Sequence, residues 1–247
     1  MKADASPAWK SLAVLIRLPN LVFIFLTQVL SWHFLVKPAL HLPEAVMVLG
    51  EGRYLLLALS TTLIACAGYI INDYFDLGMD IVNKPERVTI ERVFHRRAIL
   101  TAHSLLNVTA ILLMMYVTVR YSQLRLVIIQ LLATLWLLWY SLRLKRTLLY
   151  GNLSIACLAA MSIATVGWFE PAFPLLDLHQ PVVVYYWCYV CFAFMITFCR
   201  EIIKDMEDIK GDEQHGCRTM PLVWGLQRAG QMAIAAWILL EAGIIFL

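Results

Sequence analysis

Seven apolar runs, each long enough to cross a bilayer as a helix, constrain this chain more than any other feature. They occupy residues 18–36, 54–71, 99–119, 124–142, 152–169, 182–198 and 226–247. Roughly 17–25 apolar residues span the hydrocarbon core as a helix. Inside it every backbone N–H and C=O must pair within the protein, which a helix achieves by itself. The expected fold is therefore all-α: a membrane protein whose residues 1–247 form one integral-membrane domain. Composition agrees, with 61% hydrophobic and 15% charged residues and a mean hydropathy of +0.73. An ordinary soluble domain carries about 25% charged residues.

The connections alternate in charge. Lys84, Arg87, Arg92, Arg96 and Arg97 lie between the second and third runs, and Arg143, Lys145 and Arg146 between the fourth and fifth. Arg200, Lys204, Lys210 and Arg218 lie between the sixth and seventh, whereas the link between the fifth and sixth has neither Lys nor Arg. The positive-inside rule then puts the N-terminus and the basic loops in the cytoplasm, of a bacterial or archaeal plasma membrane. A net charge of +3 gives no electrostatic support for a nucleic-acid partner. Five of the six cysteines lie in or beside apolar runs, so no disulfide framework is expected. No small-residue cleavage site follows a short apolar core at the N-terminus, so no removable signal is expected.

Carboxylates are costly at membrane depth, at about 2.5–3.5 kcal/mol each on insertion scales. Yet Asp73, Asp76 and Asp80 directly follow the second run. If the helix continues, Asn72, Asp76 and Asp80 stand at i, i+4 and i+8, within an arc of about 80°. Asp73 borders that face. A second cluster follows the sixth run: Asp205, Asp208 and Asp212 at i, i+3 and i+7, within about 60° on a helix. Two acidic clusters on one face of the membrane, each trailed by Lys or Arg, fit metal-bridged diphosphate binding. Mg²⁺ takes one or two carboxylates together with phosphate oxygens and waters, and nearby cations neutralise the remaining charge. Ionisation of an allylic diphosphate would then need an apolar, aromatic-lined pocket, for which Phe75, Trp139, Tyr140 and Trp168 are candidates. Asn20, just inside the first run, is left facing an apolar setting.

These residues resemble a known family. Asn72-x-x-x-Asp76-x-x-x-Asp80 with Asn83-Lys84-Pro85-x-Arg87 is similar to the first acidic motif of the UbiA superfamily of intramembrane prenyltransferases, and Lys204-Asp205-x-x-Asp208-x-x-Gly211-Asp212 to the second. Tyr140-Ser141-x-x-Leu144-Lys145-Arg146 with Gly151-Asn152 matches the segment after the fourth helix. The resemblance implies helices ringed around a central cavity and Mg²⁺-dependent transfer of a prenyl group from its diphosphate to a lipophilic acceptor. It implies metal sites at Asn72, Asp73, Asp76 and Asp80 and at Asp205, Asp208 and Asp212. Asp76, Asp80, Asp208 and Tyr140 would be catalytic. Asn20, Lys84, Arg87, Ser141, Lys145, Arg146, Asn152, Arg200 and Lys204 would bind substrate. Ile16-Arg17-x-x-Asn20 and Arg200-Glu201-Ile202-Ile203-Lys204-Asp205 are similar to geranylgeranylglycerol-phosphate geranylgeranyltransferase-like members. That implies a geranylgeranyl donor and geranylgeranylglycerol phosphate as acceptor. An aromatic acceptor of quinone biosynthesis, a divalent-cation transporter and an inert lipid-binding protein stay open as alternatives. Family members commonly have nine helices and this chain ends on Gly243-Ile-Ile-Phe-Leu247, so truncation before two further helices is expected.

Overall fold

The structure is a computed structural model that describes residues 8–121 and 123–245; the side chains of residues 8, 45 and 87 also lie outside the description. Among the described residues seven helices are long and apolar enough to cross a membrane: α1 Leu18–Leu40, α2 Arg53–Asn83, α3 Arg96–Val119, α4 Leu124–Leu142, α5 Tyr150–Trp168, α6 Pro181–Glu207 and α7 Leu226–Ile245. The expected all-α architecture is present, and the chain is an integral, multi-pass membrane protein.

Two helices outrun the bilayer. Helix α2 has 31 residues and α6 has 27, which at 1.5 Å per residue is about 46 and 40 Å. The hydrocarbon core is only about 30 Å thick. The apolar residues fill the span, and the ends of α2 and α6 project beyond it with their acidic residues. Helix α2 stops at Lys84, where the following Pro85 disfavours helical backbone. The second cluster departs from the expected single helix: α6 ends at Glu207, Asp208 adopts φ −94° and ψ 9°, and a short helix Ile209–Gln214 follows. The hydrogen bonds Asp208 N to Lys204 O and Asp212 N to Asp208 O survive, so the break is a bend rather than a loop.

Helix α1 widens into a π-turn over Trp32–Val36, where Lys37 N donates to Trp32 O. Pro38 lacks the N–H that an α-helix would offer the Phe34 carbonyl, which favours such a local re-spacing. Helices α3 and α7 pack on the outside of α2 and α6. The inner wall comes from α1, α2, α4, α5 and α6.

The loops gather at two ends. At the end away from the acidic residues, buried Glu170 accepts hydrogen bonds from Val48 N (3.2 Å) and Leu49 N (2.6 Å). Arg53 donates to Met47 O and Val48 O and lies over the Tyr121 ring at 4.8 Å. Trp32, Phe169, Phe173 and Tyr186 are fully buried behind this layer. Burial pushes the Glu170 carboxyl up to about 7, against the two amide N–H groups, which favour its charge. A folded-state value above the ordinary value of about 4.3 means that this group's contribution to stability is complete below that ordinary value. It is lost as pH rises through 7. The thermal midpoint should therefore fall from about pH 4.5 to about pH 7 and level off above it, and Glu170→Gln should flatten that fall. Differential scanning fluorimetry in detergent measures both, and an unchanged slope in the variant would reject the assignment.

Candidate active site

Helix α2 sets the first cluster. Its i, i+4 spacing brings Asn72 onto Asp76, with Nδ2 donating to Oδ2 at 2.7 Å, and both side chains are buried. Lys145, in the short turn after α4, reaches across to contact Asp76 Oδ1. Burial, and then the Lys204 charge, lower the Lys145 ammonium to about 7. The Asp212 carboxylate opposes both. Asp73 pairs with Arg17 at 3.0 Å. Arg17 reaches it because it adopts a left-handed backbone (φ 51°) before α1, with its guanidinium over Tyr69 at 4.9 Å. Asp80 is half-buried, within electrostatic reach of Asp73 and Asp208.

The second cluster is tied to the first by side chains. Lys84 pairs with Asp208 at 2.6 Å and stands 3.9 Å from Glu207. Asn83, the last residue of α2, clasps the bend: Nδ2 donates to Asp208 O (3.0 Å), and Oδ1 accepts from Gly211 N (2.7 Å). His215 lies against Gly78, where a Cβ would be 2.8 Å from its Nε2. Asn152, on α5, donates to Asp205 at 2.8 Å. Asp212 is buried beside Asp208 and Lys145; burial first, then the Asp208 charge, push its carboxyl up.

Below the clusters lies a cavity of about 380 Å³, within the range of small-ligand sites. Arg17, Asn20, Asn72, Tyr140, Arg200 and Lys204 line its polar end, and Phe23, Leu137, Ile155, Phe192 and Ile196 its apolar part. Of the expected aromatic residues only Tyr140 lines it. Phe75, Trp139 and Trp168 do not; Trp139 points to the lipid side, 56% exposed. Phe23, Tyr69, Tyr189 and Phe192 supply the other rings.

Two residues expected to bind substrate point away from the clusters and the cavity. Ser141 is buried and its hydroxyl donates to Leu137 O within its own helix, so it does not line the cavity. Arg146 is exposed, and its backbone carbonyl is what engages the site's surroundings, by accepting from Arg218 N at 2.9 Å. The Arg87 side chain lies outside the described residues. Conversely, Glu201 lines the cavity and was not foreseen. Its signal was its position, four residues before Asp205 and seven before Asp208, on the same helix face.

Among the described residues no three His, Cys, Asp or Glu side chains converge tightly enough to hold a metal unaided. The donor set nevertheless suits Mg²⁺ shared with a diphosphate, which needs only one or two carboxylates per ion. Asn72 Oδ1 is a buried oxygen without a hydrogen-bond partner.

Comparison with known proteins gives the same direction. The UbiA prenyltransferase family is matched over residues 47–247. A digeranylgeranylglyceryl phosphate synthase of Methanoregula boonei is 34% identical over 181 residues, 73% of this chain and 60% of that protein. One from Methanothermobacter thermautotrophicus is 31% identical over 168 residues, 68% of this chain and 54% of that protein. One from Saccharolobus solfataricus is 29% identical over 240 residues, covering 94% and 74%. The chain thus spans little more than half the length of the first two relatives. A solved structure concerning digeranylgeranylglyceryl phosphate synthase in membranes shares the fold, with a TM-score of 0.66, 19% identity and coverage of 96% of this chain and 76% of that one. With its acidic helix ends over an intramembrane cavity and a family match along four-fifths of its length, the chain belongs to the UbiA prenyltransferase family.

Proposed function

We propose that this protein transfers a prenyl group, geranylgeranyl by its similarity to the synthases above, from its diphosphate to a lipophilic glycerophosphate acceptor. One observation carries the reading: two carboxylate clusters, clasped together by Asn83 and Lys84, stand at the polar mouth of an apolar cavity. The mouth suits a diphosphate and the cavity suits its hydrocarbon tail.

Asn72, Asp76 and Asp80 would hold Mg²⁺ on one side of the diphosphate, and Asp205, Asp208 and Asp212 on the other, with Asp73 engaged by Arg17. When bound, the metal would take up the negative charge that develops on the leaving group. Lys84, Lys145 and Lys204 would pair with the phosphate oxygens. Tyr69 and Tyr140, at the cavity's polar end, would face the allylic cation and shield it from water. The acidic end would lie in the cytoplasm, on the side given by the basic loops.

The test is direct. Purified chain in nanodiscs, given geranylgeranyl diphosphate, should release diphosphate only with Mg²⁺. Offered glycerophosphate lipids beside aromatic acids, it should yield a prenylated glycerophosphate by mass spectrometry. Metal-independent release would reject the clamp, and product from the aromatic acids alone would reject the acceptor.

A further inference from the structure

We propose that Glu201 is the base that takes the proton from the acceptor's attacking hydroxyl. The proposal rests on the prenyl-transfer reading and deepens it, by assigning the acceptor half of the reaction to a residue outside both acidic clusters.

Glu201 is 5% exposed and lines the cavity at its polar end. Burying a carboxylate costs several kcal/mol unless close partners repay it. Its partners here are loose. Lys204 Nζ stands 3.9 Å from Oε2, beyond direct hydrogen bonding. Arg200 Nη1 stands 3.3 Å from Oε1, with its own side chain 53% exposed. A carboxylate offers about four acceptor positions, so this one keeps capacity for a donor from the cavity.

Its depth is also suitable. Glu201 lies four residues before Asp205, or about 6 Å deeper along α6. In a prenyl diphosphate held at the clusters, the allylic C1 is the first atom inward from the diphosphate, at about that level. Asn20, Tyr140 and Glu201 surround the cavity there from three helices. Arg200, beside Glu201 and also lining the cavity, is placed to pair with the acceptor's phosphate.

The step balances without another reagent. The acceptor oxygen forms a bond to C1, the C1–O bond to diphosphate breaks with its electron pair on the leaving group, and the hydroxyl proton passes to a Glu201 carboxylate oxygen. The acceptor is thereby defined as a phosphorylated alcohol.

The test compares the full chain with Glu201→Gln and Glu201→Asp in nanodiscs. For Glu201→Gln, kcat for transfer to the glycerophosphate lipid should fall about 10²–10⁴-fold, the usual range for a lost general base. KM for the prenyl diphosphate should stay within about threefold, and Glu201→Asp should recover part of kcat. The rise in melting temperature on adding Mg²⁺ with inorganic pyrophosphate should match wild type, which shows that the clamp is intact. Transfer by Glu201→Gln within about threefold of wild type would overturn the proposal. So would loss of transfer and of the pyrophosphate-dependent shift together, since Glu201 would then be a structural ion-pair member. Wild-type protein that releases no diphosphate would sink prenyl transfer itself. Wild-type release without any phosphorylated-alcohol product would sink the role of Glu201 alone.

Discussion

Asp76→Asn and Asp208→Asn are each expected to lower Mg²⁺-dependent diphosphate release by about a hundredfold or more, the scale on which preorganised electrostatic contacts act. Both substitutions keep side-chain shape and delete one negative charge. Asp76 is 5% exposed, accepts from Asn72 and touches Lys145, so its charge acts where water is scarce. Asp208 faces Lys84 at 2.6 Å on the opposing segment. An amide in either place leaves the lysine without its carboxylate and weakens that half of the clamp. Single-turnover release in detergent micelles measures the effect, with the melting temperature as a folding control. Wild-type turnover in either variant would remove that carboxylate from the metal assignment.

The second large effect is expected from Gly211→Ala. A Cβ there would collide with Asn83 Nδ2 and stand 2.8 Å from its Oδ1. The Asn83 side chain is movable in principle, but both of its polar ends are engaged on the bend. Displacing it gives up two hydrogen bonds, worth about 0.5–1.5 kcal/mol each. The expected loss of stability is about 1–3 kcal/mol. More important, the second cluster loses its register against the first. The variant should need markedly more Mg²⁺ for half-maximal diphosphate release, and Asn83→Ala should show the same shift without the steric insertion. A Gly211→Ala protein with an unaltered Mg²⁺ requirement would reject the clasp.

The membrane-spanning architecture was legible in the sequence because hydrocarbon imposes a length and a composition on every crossing. The arc of Asn72, Asp76 and Asp80 was legible too, since helical spacing alone fixes it once α2 continues to Asn83. What lay beyond reach were contacts set by tertiary packing. Arg17 has no acidic neighbour in sequence, and only with α1 and α2 side by side does a left-handed turn bring it to Asp73. The bend at Asp208 has no proline to announce it; Asn83, 125 positions earlier, is what holds it. Ser141 and Arg146 share a motif with Tyr140 and Lys145, but successive residues on a helix or tight turn face different ways. Glu201 shares the helix face of Asp205 and Asp208, but spacing alone does not distinguish a cavity-facing carboxylate from a solvated one, and the cavity lining does.

The lysine contacts also bear on how such a protein is assembled. Unpaired carboxylates near a bilayer resist insertion, and a site that relied on a soluble cation for neutrality would stay unsettled until that cation arrived. Here Lys145 rests on Asp76, Lys84 on Asp208 and Arg17 on Asp73. Each counter-charge is encoded in the same chain, on a segment that meets its carboxylate only as the helices come together. Three of the six cluster aspartates thus carry a counter-charge from the chain itself, which lowers the cost of bringing the helices together before any substrate is present.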